Sequence, residues 1–204
     1  MADGAAVAEH NAFYFDLASP AAYLAAERAL TALPGPCPWR PILARGLAHA
    51  EAYDGYRCEA DMLAARDLLE RRADALGLQP LVWPVQFPFD SEFAMLAATY
   101  ARGIGKLVPF ALAAFRQAFA GGNALSTEDN VLIAGAACEI HPRAILRAAQ
   151  TRGVRDELDR ATAAALEAGV SDVPAVRVGE LVLVGETRIE EAGALIVAAG
   201  EQRG

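Results

Sequence analysis

The order of predicted strands and helices at the two ends of the chain restricts the possible folds more than any other feature. At the first end, aromatic-rich residues 11–17 predict a short strand. Ser19 and Pro20 then predict a helix start, because serine caps the free amides of a first turn and proline there loses no hydrogen bond. Residues 37–43 predict a second strand, and their prolines indicate either a sheet edge or an irregular course.

The other end of the chain also mixes helix and strand, in a different order. Residues 155–168 have apolar side chains at helical spacing and are followed by a glycine, so they predict a helix. Residues 173–178 and 181–184 predict two strands, and Gly179-Glu180 between them predicts a hairpin turn. Residues 189–199 predict the last helix.

Between these ends lies a mostly helical block of roughly a hundred residues. Amphipathic spacing predicts helices at residues 59–76, 91–102 and 107–120, and a capping-box pattern at residues 126–129 predicts the start of another. Prolines interrupt residues 78–89, which therefore predict an irregular segment.

This order of elements predicts an α/β chain with a thioredoxin-like fold and an inserted all-helical domain. A proline at the start of the hairpin's first strand suits this fold, because that strand end faces the helix start at the active site. We expect residues 11–50 and 151–200 to form the thioredoxin-like domain, and residues 51–150 to form the helical insertion.

The acidic composition limits the partners of the chain. The 18 basic and 26 acidic residues give a formal net charge of −8. Nucleic-acid binding needs clustered Lys and Arg, so we expect no nucleic-acid partner. The sequence has no polybasic anchor, no long uninterrupted apolar run and no visible secretory signal. It therefore predicts a cytoplasmic protein with no membrane partner.

The cysteines and histidines are too scattered for a disulfide framework or a metal site. There are three of each, with no C-x-x-C pair and no paired ligands. We therefore expect reduced thiols and no metal cofactor. These residues are Cys37, Cys58, Cys138, His10, His49 and His141.

Ser19 is the candidate catalytic residue, because it stands where the first strand ends and the first helix begins. The free amides and partial positive charge of a helix start stabilise a nearby anion or thiolate. A hydroxyl in that position can hydrogen-bond a bound thiol and lower the pKa of that thiol. No G-x-S-x-G motif is present, so a hydrolase is not indicated. The alternative is that Ser19 is only a helix cap, which contributes about 1 kcal/mol.

Val173-Pro174 is the second candidate feature. A proline that heads a strand facing the same helix end can adopt a cis peptide bond, at a cost of about 0.5–1 kcal/mol. The backbone of Val173 could then pair with an extended, peptide-like ligand. The dipeptide alone is weak evidence, since about 5–6% of such bonds in folded proteins are cis.

Residues 13–25, FYFDLASPAAYLA, resemble the opening F-x-F-D-x-x-S-P-x-x-Y-L-A of the 2-hydroxychromene-2-carboxylate isomerases. These enzymes are relatives of the kappa-class glutathione transferases and of the DsbA-like oxidoreductases. Residues 39–41 are similar to the family's W-R-P, and residues 169–175 to its G-V-x-G-V-P-x. The resemblance spans residues 12–197 and implies a glutathione-dependent enzyme, commonly a homodimer. Its small-molecule substrate would be a conjugated unsaturated aromatic acid that undergoes cis–trans isomerisation.

The resemblance also implies roles for single residues. Ser19 would activate the thiol of glutathione, or of another low-molecular-weight thiol. Pro174 would be the cis-proline, and the backbone of Val173 would hold the cysteine moiety of glutathione. Ser19 and Ala22 occupy the two positions of the C-x-x-C motif in redox relatives, which excludes dithiol–disulfide exchange at this site.

Two departures from the family pattern bear on the function. Glu186 and Thr187 stand where the family binds the glutamyl end of glutathione, and Thr187 replaces the family's Asp. No counterpart of the family's catalytic Asn follows residues 39–41.

Three functions therefore stay open at the level of sequence. The first is a thiol-dependent isomerase, or a kappa-like glutathione transferase, that uses Ser19. The second is a redox-inactive DsbA-like protein that binds a peptide or another ligand without chemistry, which the departures favour. The third is a scaffold that serves only dimerisation.

Overall fold

A four-stranded mixed sheet organises the chain in a computed structural model that describes residues 11–47 and 59–201. The strand order is β2-β1-β3-β4; β1 and β2 are parallel, and the other pairs are antiparallel. Phe13 of β1 lies opposite Trp39 of β2 and Val176 of β3. The predicted strands are confirmed, and the proline-containing second strand is at an edge. The strands are β1 (Ala12–Phe15), β2 (Trp39–Pro41), β3 (Ala175–Val178) and β4 (Leu181–Val184).

Eight α-helices are present in the described parts of the chain. They are α1 (Pro20–Ala32), α2 (Glu59–Ala75), α3 (Glu92–Gly103), α4 (Leu107–Phe119), α5 (Glu128–Ala137), α6 (Pro142–Ala149), α7 (Arg152–Glu167) and α8 (Ile189–Glu201). The predicted helices are confirmed, although α7 begins at Arg152 rather than at residue 155. The capping box is not formed, because Thr127 caps α5 without a side-chain hydrogen bond.

The two ends of the chain supply the sheet, and helices α2 to α6 come from the sequence between them. The fold is thus thioredoxin-like with a helical insertion, as predicted. The proposed domain boundaries, residues 11–50 with 151–200 and residues 51–150, remain a prediction. Part of the first boundary, residues 48–58, lies outside the described residues.

Alternate residues of β1 face the two sides of the sheet, which gives the chain two apolar clusters. Phe13 and Phe15 belong to the larger cluster, with Tyr23 of α1 and Phe115 of α4. Tyr14 belongs to the smaller cluster on the other side, where α7 packs. Helix α1 and helix α7 therefore cover opposite faces of the sheet, and strand β1 contributes side chains to both apolar clusters.

None of the described helices combines the length and the hydropathy that crossing a membrane requires.

Candidate functional site

Ser19 is buried at the first turn of α1 and caps that helix. The residue is 4% exposed, and its Oγ accepts a hydrogen bond from the Ala22 amide at 3.1 Å. Its own amide donates to the Asp16 carbonyl at 3.0 Å, and Pro20 follows at the first helical position. The predicted cap is confirmed, so the serine and the start of the helix are held in one geometry.

The Val173-Pro174 peptide bond is cis, as the sequence suggested, and both residues are buried. The Ser19 hydroxyl donates to the Val173 carbonyl oxygen at 3.4 Å, so the two candidate features are in contact. The Val173 amide is occupied by Oδ1 of the neighbouring Asp172 at 2.7 Å. The Pro174 carbonyl accepts from the Gly185 amide at 2.8 Å, which ties this segment to the turn before α8.

The contact between Ser19 and Val173 is long, and this affects what the hydroxyl can do. A hydroxyl has a single proton, so Ser19 can donate either to the Val173 carbonyl or to another acceptor. At 3.4 Å the present acceptor lies beyond the usual distance for an O–H···O bond. An incoming thiolate beside the partial positive charge of the α1 start would be the better acceptor.

Asp16 is a site residue that the sequence analysis quoted without giving it a role. The residue is 1% exposed, and its carboxylate accepts from the Ala18 amide and the Ala44 amide, each at 2.9 Å. A further side-chain hydrogen bond joins it to Ser91, the residue before α3. Asp16 therefore fixes the loop that carries Ser19 against the loop after β2. An aspartate followed by a turn two residues later is a local signal for part of this arrangement.

Burial raises the pKa of the Asp16 carboxyl above its ordinary value. The hydrogen bonds from Ala18, Ala44 and Ser91 and the charge of Arg45 lower the pKa, but they do not outweigh the loss of water.

Glu186 lies in a short turn before α8, and its side chain is engaged with two helices. It is 7% exposed; one oxygen accepts from Arg72 Nε at 2.8 Å and the other from Arg28 Nη2 at 2.7 Å. These two ion pairs satisfy the Glu186 carboxylate, and they also link α1 to α2. Thr187, the next residue, is exposed.

No described cysteine provides a substitute for the missing C-x-x-C pair. Burial raises the pKa of the Cys37 thiol to about 12 and also raises the pKa of the Cys138 thiol, so both stay protonated near neutral pH. Cys58 lies outside the described residues. Within residues 11–47 and 59–201, no group of three or more Cys, His, Asp or Glu side chains is arranged to hold a metal ion.

A series of aromatic contacts leads away from the Ser19 turn. Tyr23, one turn along α1, stacks with Phe119 at a centroid distance of 5.9 Å, and Phe119 contacts Phe87 and Trp83. The guanidinium of Arg66 lies 4.9 Å from the centre of the Trp83 ring. Arg66 Nε is buried without a hydrogen-bond partner. Tyr23 and Phe119 belong to the buried apolar core, so this series runs through the core and ends at a cation that has no carboxylate partner in the described chain.

The fold and site define a thioredoxin-like protein with serine at the start of α1 and a cis-proline facing it. Residues 12–196 match the DsbA-like thioredoxin domain, and the chain belongs to that family. A comparison with curated proteins finds none that matches.

Solved structures of DsbA-like proteins are similar to this chain over nearly its whole length. A 2-hydroxychromene-2-carboxylate isomerase aligns with a TM-score of 0.79 and 22% identity, covering 95% of this chain and 97% of that one. A probable DsbA oxidoreductase from Streptomyces coelicolor aligns with a TM-score of 0.73 and 16% identity, covering 95% and 91%. The cytosolic disulfide reductase DsbM from Pseudomonas aeruginosa, solved with GSH, has a TM-score of 0.65 and 14% identity, covering 94% and 98%. At these identities the likeness shows the fold.

Proposed function

We propose that the protein is a glutathione-dependent isomerase that acts on a conjugated unsaturated aromatic acid. The observation that carries this proposal is the buried Ser19 hydroxyl at the α1 start, facing the carbonyl before the cis-proline. These groups fit a thiolate sulfur, because the hydroxyl has a proton to donate and the helix start favours negative charge. Another low-molecular-weight thiol would satisfy the same contacts.

The residues of this chain would act mainly through charge and orientation. When bound, the thiol supplies a nucleophilic sulfur that adds to a conjugated double bond, allows rotation and then leaves, with no net oxidation. Ser19 would release the Val173 carbonyl and donate a hydrogen bond to the sulfur without transferring its proton, which stabilises the sulfur as an anion and also makes it a good leaving group.

Glutathione would contact three parts of the chain, which are Ser19, the Val173-Pro174 dipeptide and the turn before α8. Val173 and Pro174 would hold the cysteine moiety, and Asp172 would release the Val173 amide as the ligand enters. At the glutamyl end, we assign the direct contact to the exposed Thr187 hydroxyl. Glu186 would position this turn through its bonds to Arg28 and Arg72.

Calorimetric titration with glutathione tests this proposal. Wild type should bind, and Ser19→Ala should weaken binding by roughly tenfold or more, as expected for a lost hydrogen bond to a charged sulfur. His141→Ala is the matched control, because His141 caps α6 through a side-chain bond to the Arg143 amide at 3.1 Å. It should leave binding unchanged. Absence of binding by wild type at millimolar glutathione would overturn the proposal.

The second candidate is a redox-inactive DsbA-like protein that binds a peptide or another ligand without chemistry. Two observations favour it: the Val173 amide is already occupied, and the Glu186 carboxylate is satisfied by arginines. Ser19→Ala would then leave ligand binding intact. A kappa-like glutathione transferase would use the same serine, but mass spectrometry would find a stable glutathione adduct in place of an isomer.

We further propose a homodimer in the cytoplasm. The family resemblance supports the dimer, and the similarity to a cytosolic disulfide reductase supports the location. Light scattering of the purified chain measures the first, and cell fractionation measures the second.

A further inference from the structure

A cavity lies on the side of the sheet opposite α1. It has a volume of about 320 Å³ and lies between helix α7 and the strands β1 and β2. Tyr14 and Ala12, which line it, belong to the apolar cluster under α7, whereas Phe13 and Phe15 face the α1 side. This cavity is therefore separated by the sheet from the layer that contains α1. Its polar lining comes from Tyr14, Arg40, Arg102, Glu157 and Arg160.

The lining is positively charged, although the whole chain is acidic. It contains three arginines and one glutamate, so its formal charge is +2 in a chain whose net charge is −8. Arg102 pairs with Glu157. Among the described residues, Arg40 and Arg160 have no carboxylate partner. Arg160 uses only Nε, which donates to the Asp156 carbonyl at 3.0 Å, so its terminal nitrogens are available.

Tyr14 adds a neutral donor to the two available guanidinium groups. The residue is only 8% exposed, and its hydroxyl makes no hydrogen bond to another described residue. Its oxygen is not among the buried side-chain atoms that lack a partner, so it is open to the cavity and can donate to an acceptor there. Arg40 stands opposite Tyr14 in the β1–β2 register, so the two side chains approach the cavity from neighbouring strands.

We propose that this cavity binds a small organic dianion. Its oxygens would pair with the Arg40 and Arg160 guanidinium groups, whose planar donors match carboxylate and phosphate oxygens, and would accept from the Tyr14 hydroxyl. Its carbon skeleton would lie on the alanines of α7, of which Ala161, Ala164 and Ala165 line the cavity. Both a phosphate ester and a dicarboxylate have this chemistry, and the cavity is large enough for either.

Titration of the full chain with phenyl phosphate and with succinate tests the proposal and separates the two sources. Wild type should bind at least one probe, and added salt should weaken the binding. Arg160→Met removes a charge from an exposed position on α7 and should weaken binding by roughly tenfold or more. Tyr14→Phe should weaken it by a smaller factor. Arg143→Met is the matched control, because Arg143 is an arginine of α6 without a carboxylate partner in the described chain; it should bind as wild type does.

Equal binding by wild type, Arg160→Met and Tyr14→Phe would overturn the proposal, as would absence of binding for both probes at millimolar concentration. Preference for phenyl phosphate identifies a phosphate ester as the ligand class, and preference for succinate identifies a dicarboxylate. Amide chemical shifts give an independent readout: bound probe should perturb β1, β2 and α7. Because no thiol takes part, the outcome does not depend on the proposed isomerase activity.

Discussion

The hydroxyl of Ser19 lies 3.4 Å from the carbonyl oxygen of Val173, a residue 154 positions away in the sequence. This contact joins the start of α1 to the cis Val173-Pro174 bond, and these two parts of the site offer a ligand different interactions. The helix start provides partial positive charge, and the segment before the proline provides main-chain groups for an extended ligand. The long bond leaves the Ser19 proton available to a stronger acceptor.

A cysteine at position 19 should report the electrostatics of the α1 start. In Ser19→Cys we expect a thiol pKa below the ordinary value for cysteine, because amides and partial charge at a helix start stabilise the thiolate. The pH dependence of alkylation measures this pKa, with peptide mapping to assign each product. Cys37 is the internal comparison, since burial raises the pKa of its thiol to about 12 and it should react slowly. A thiol at position 19 no more reactive than Cys37 would contradict the expectation.

Asp16 should contribute to stability through the amides that it accepts. Asp16→Ala leaves the buried Ala18 and Ala44 amides without their partner, so the free energy of unfolding should fall by about 2 kcal/mol or more. Urea denaturation measures the change. Asp90→Ala is the control, because Asp90 also accepts an amide, that of Glu92 at 2.9 Å, but its side chain is 64% exposed. Equal losses in the two variants would contradict a special contribution from Asp16.

The raised pKa of Asp16 predicts a pH dependence of stability. A carboxyl whose pKa is higher in the folded state than in the unfolded state stabilises the fold below its unfolded pKa, and this contribution is lost as the pH rises through the folded value. Relative to Asp16→Asn, which does not titrate, wild type should therefore lose stability as the pH rises from about 4 toward neutrality. Urea denaturation at several pH values measures the difference. A difference that stays constant or grows in favour of wild type would contradict the direction of the shift.

Glu186 should be important for stability because it is buried between two arginines. Glu186→Gln leaves Arg28 and Arg72 without their shared counter-charge, and we expect the free energy of unfolding to fall by roughly 2 kcal/mol. Glu191→Gln is the matched control, since Glu191 pairs with Arg188 on the surface. That variant should unfold like wild type in urea. If Glu186→Gln also unfolds like wild type, the ion pairs do not hold α1 and α2 as described.

The sequence predicted the parts of the site that depend on local signals. Ser19-Pro20 after an aromatic strand gave the helix start, and Val173-Pro174 before an alternating strand gave the candidate cis bond. Local signals could predict only part of the hydrogen bonding of Asp16. Its bond to the Ala18 amide is local, but its partners Ala44 and Ser91 are brought to it by the packing of other loops.

Long-range charge contacts could not be predicted either, because only the packing of distant segments brings the partners together. Glu186 binds Arg72 and Arg28, which are 114 and 158 residues away in the sequence, and no local pattern indicates either partner. The Arg66 stack on Trp83 likewise depends on how an irregular, proline-interrupted segment folds back against α2. The capping box at residues 126–129 shows the reverse case, in which a local pattern is present and α5 begins without its side-chain bond.

Activation of a bound thiol by Ser19 is tested most directly by the pKa of that thiol. The ultraviolet absorbance of glutathione thiolate, followed against pH with protein in excess, measures it for wild type and for Ser19→Ala. We predict that wild type lowers the pKa of bound glutathione by about one unit or more, the effect of one hydrogen bond to a charged sulfur. In Ser19→Ala the pKa should return toward that of free glutathione. The same pKa for glutathione bound to both proteins would contradict a thiol-activating Ser19.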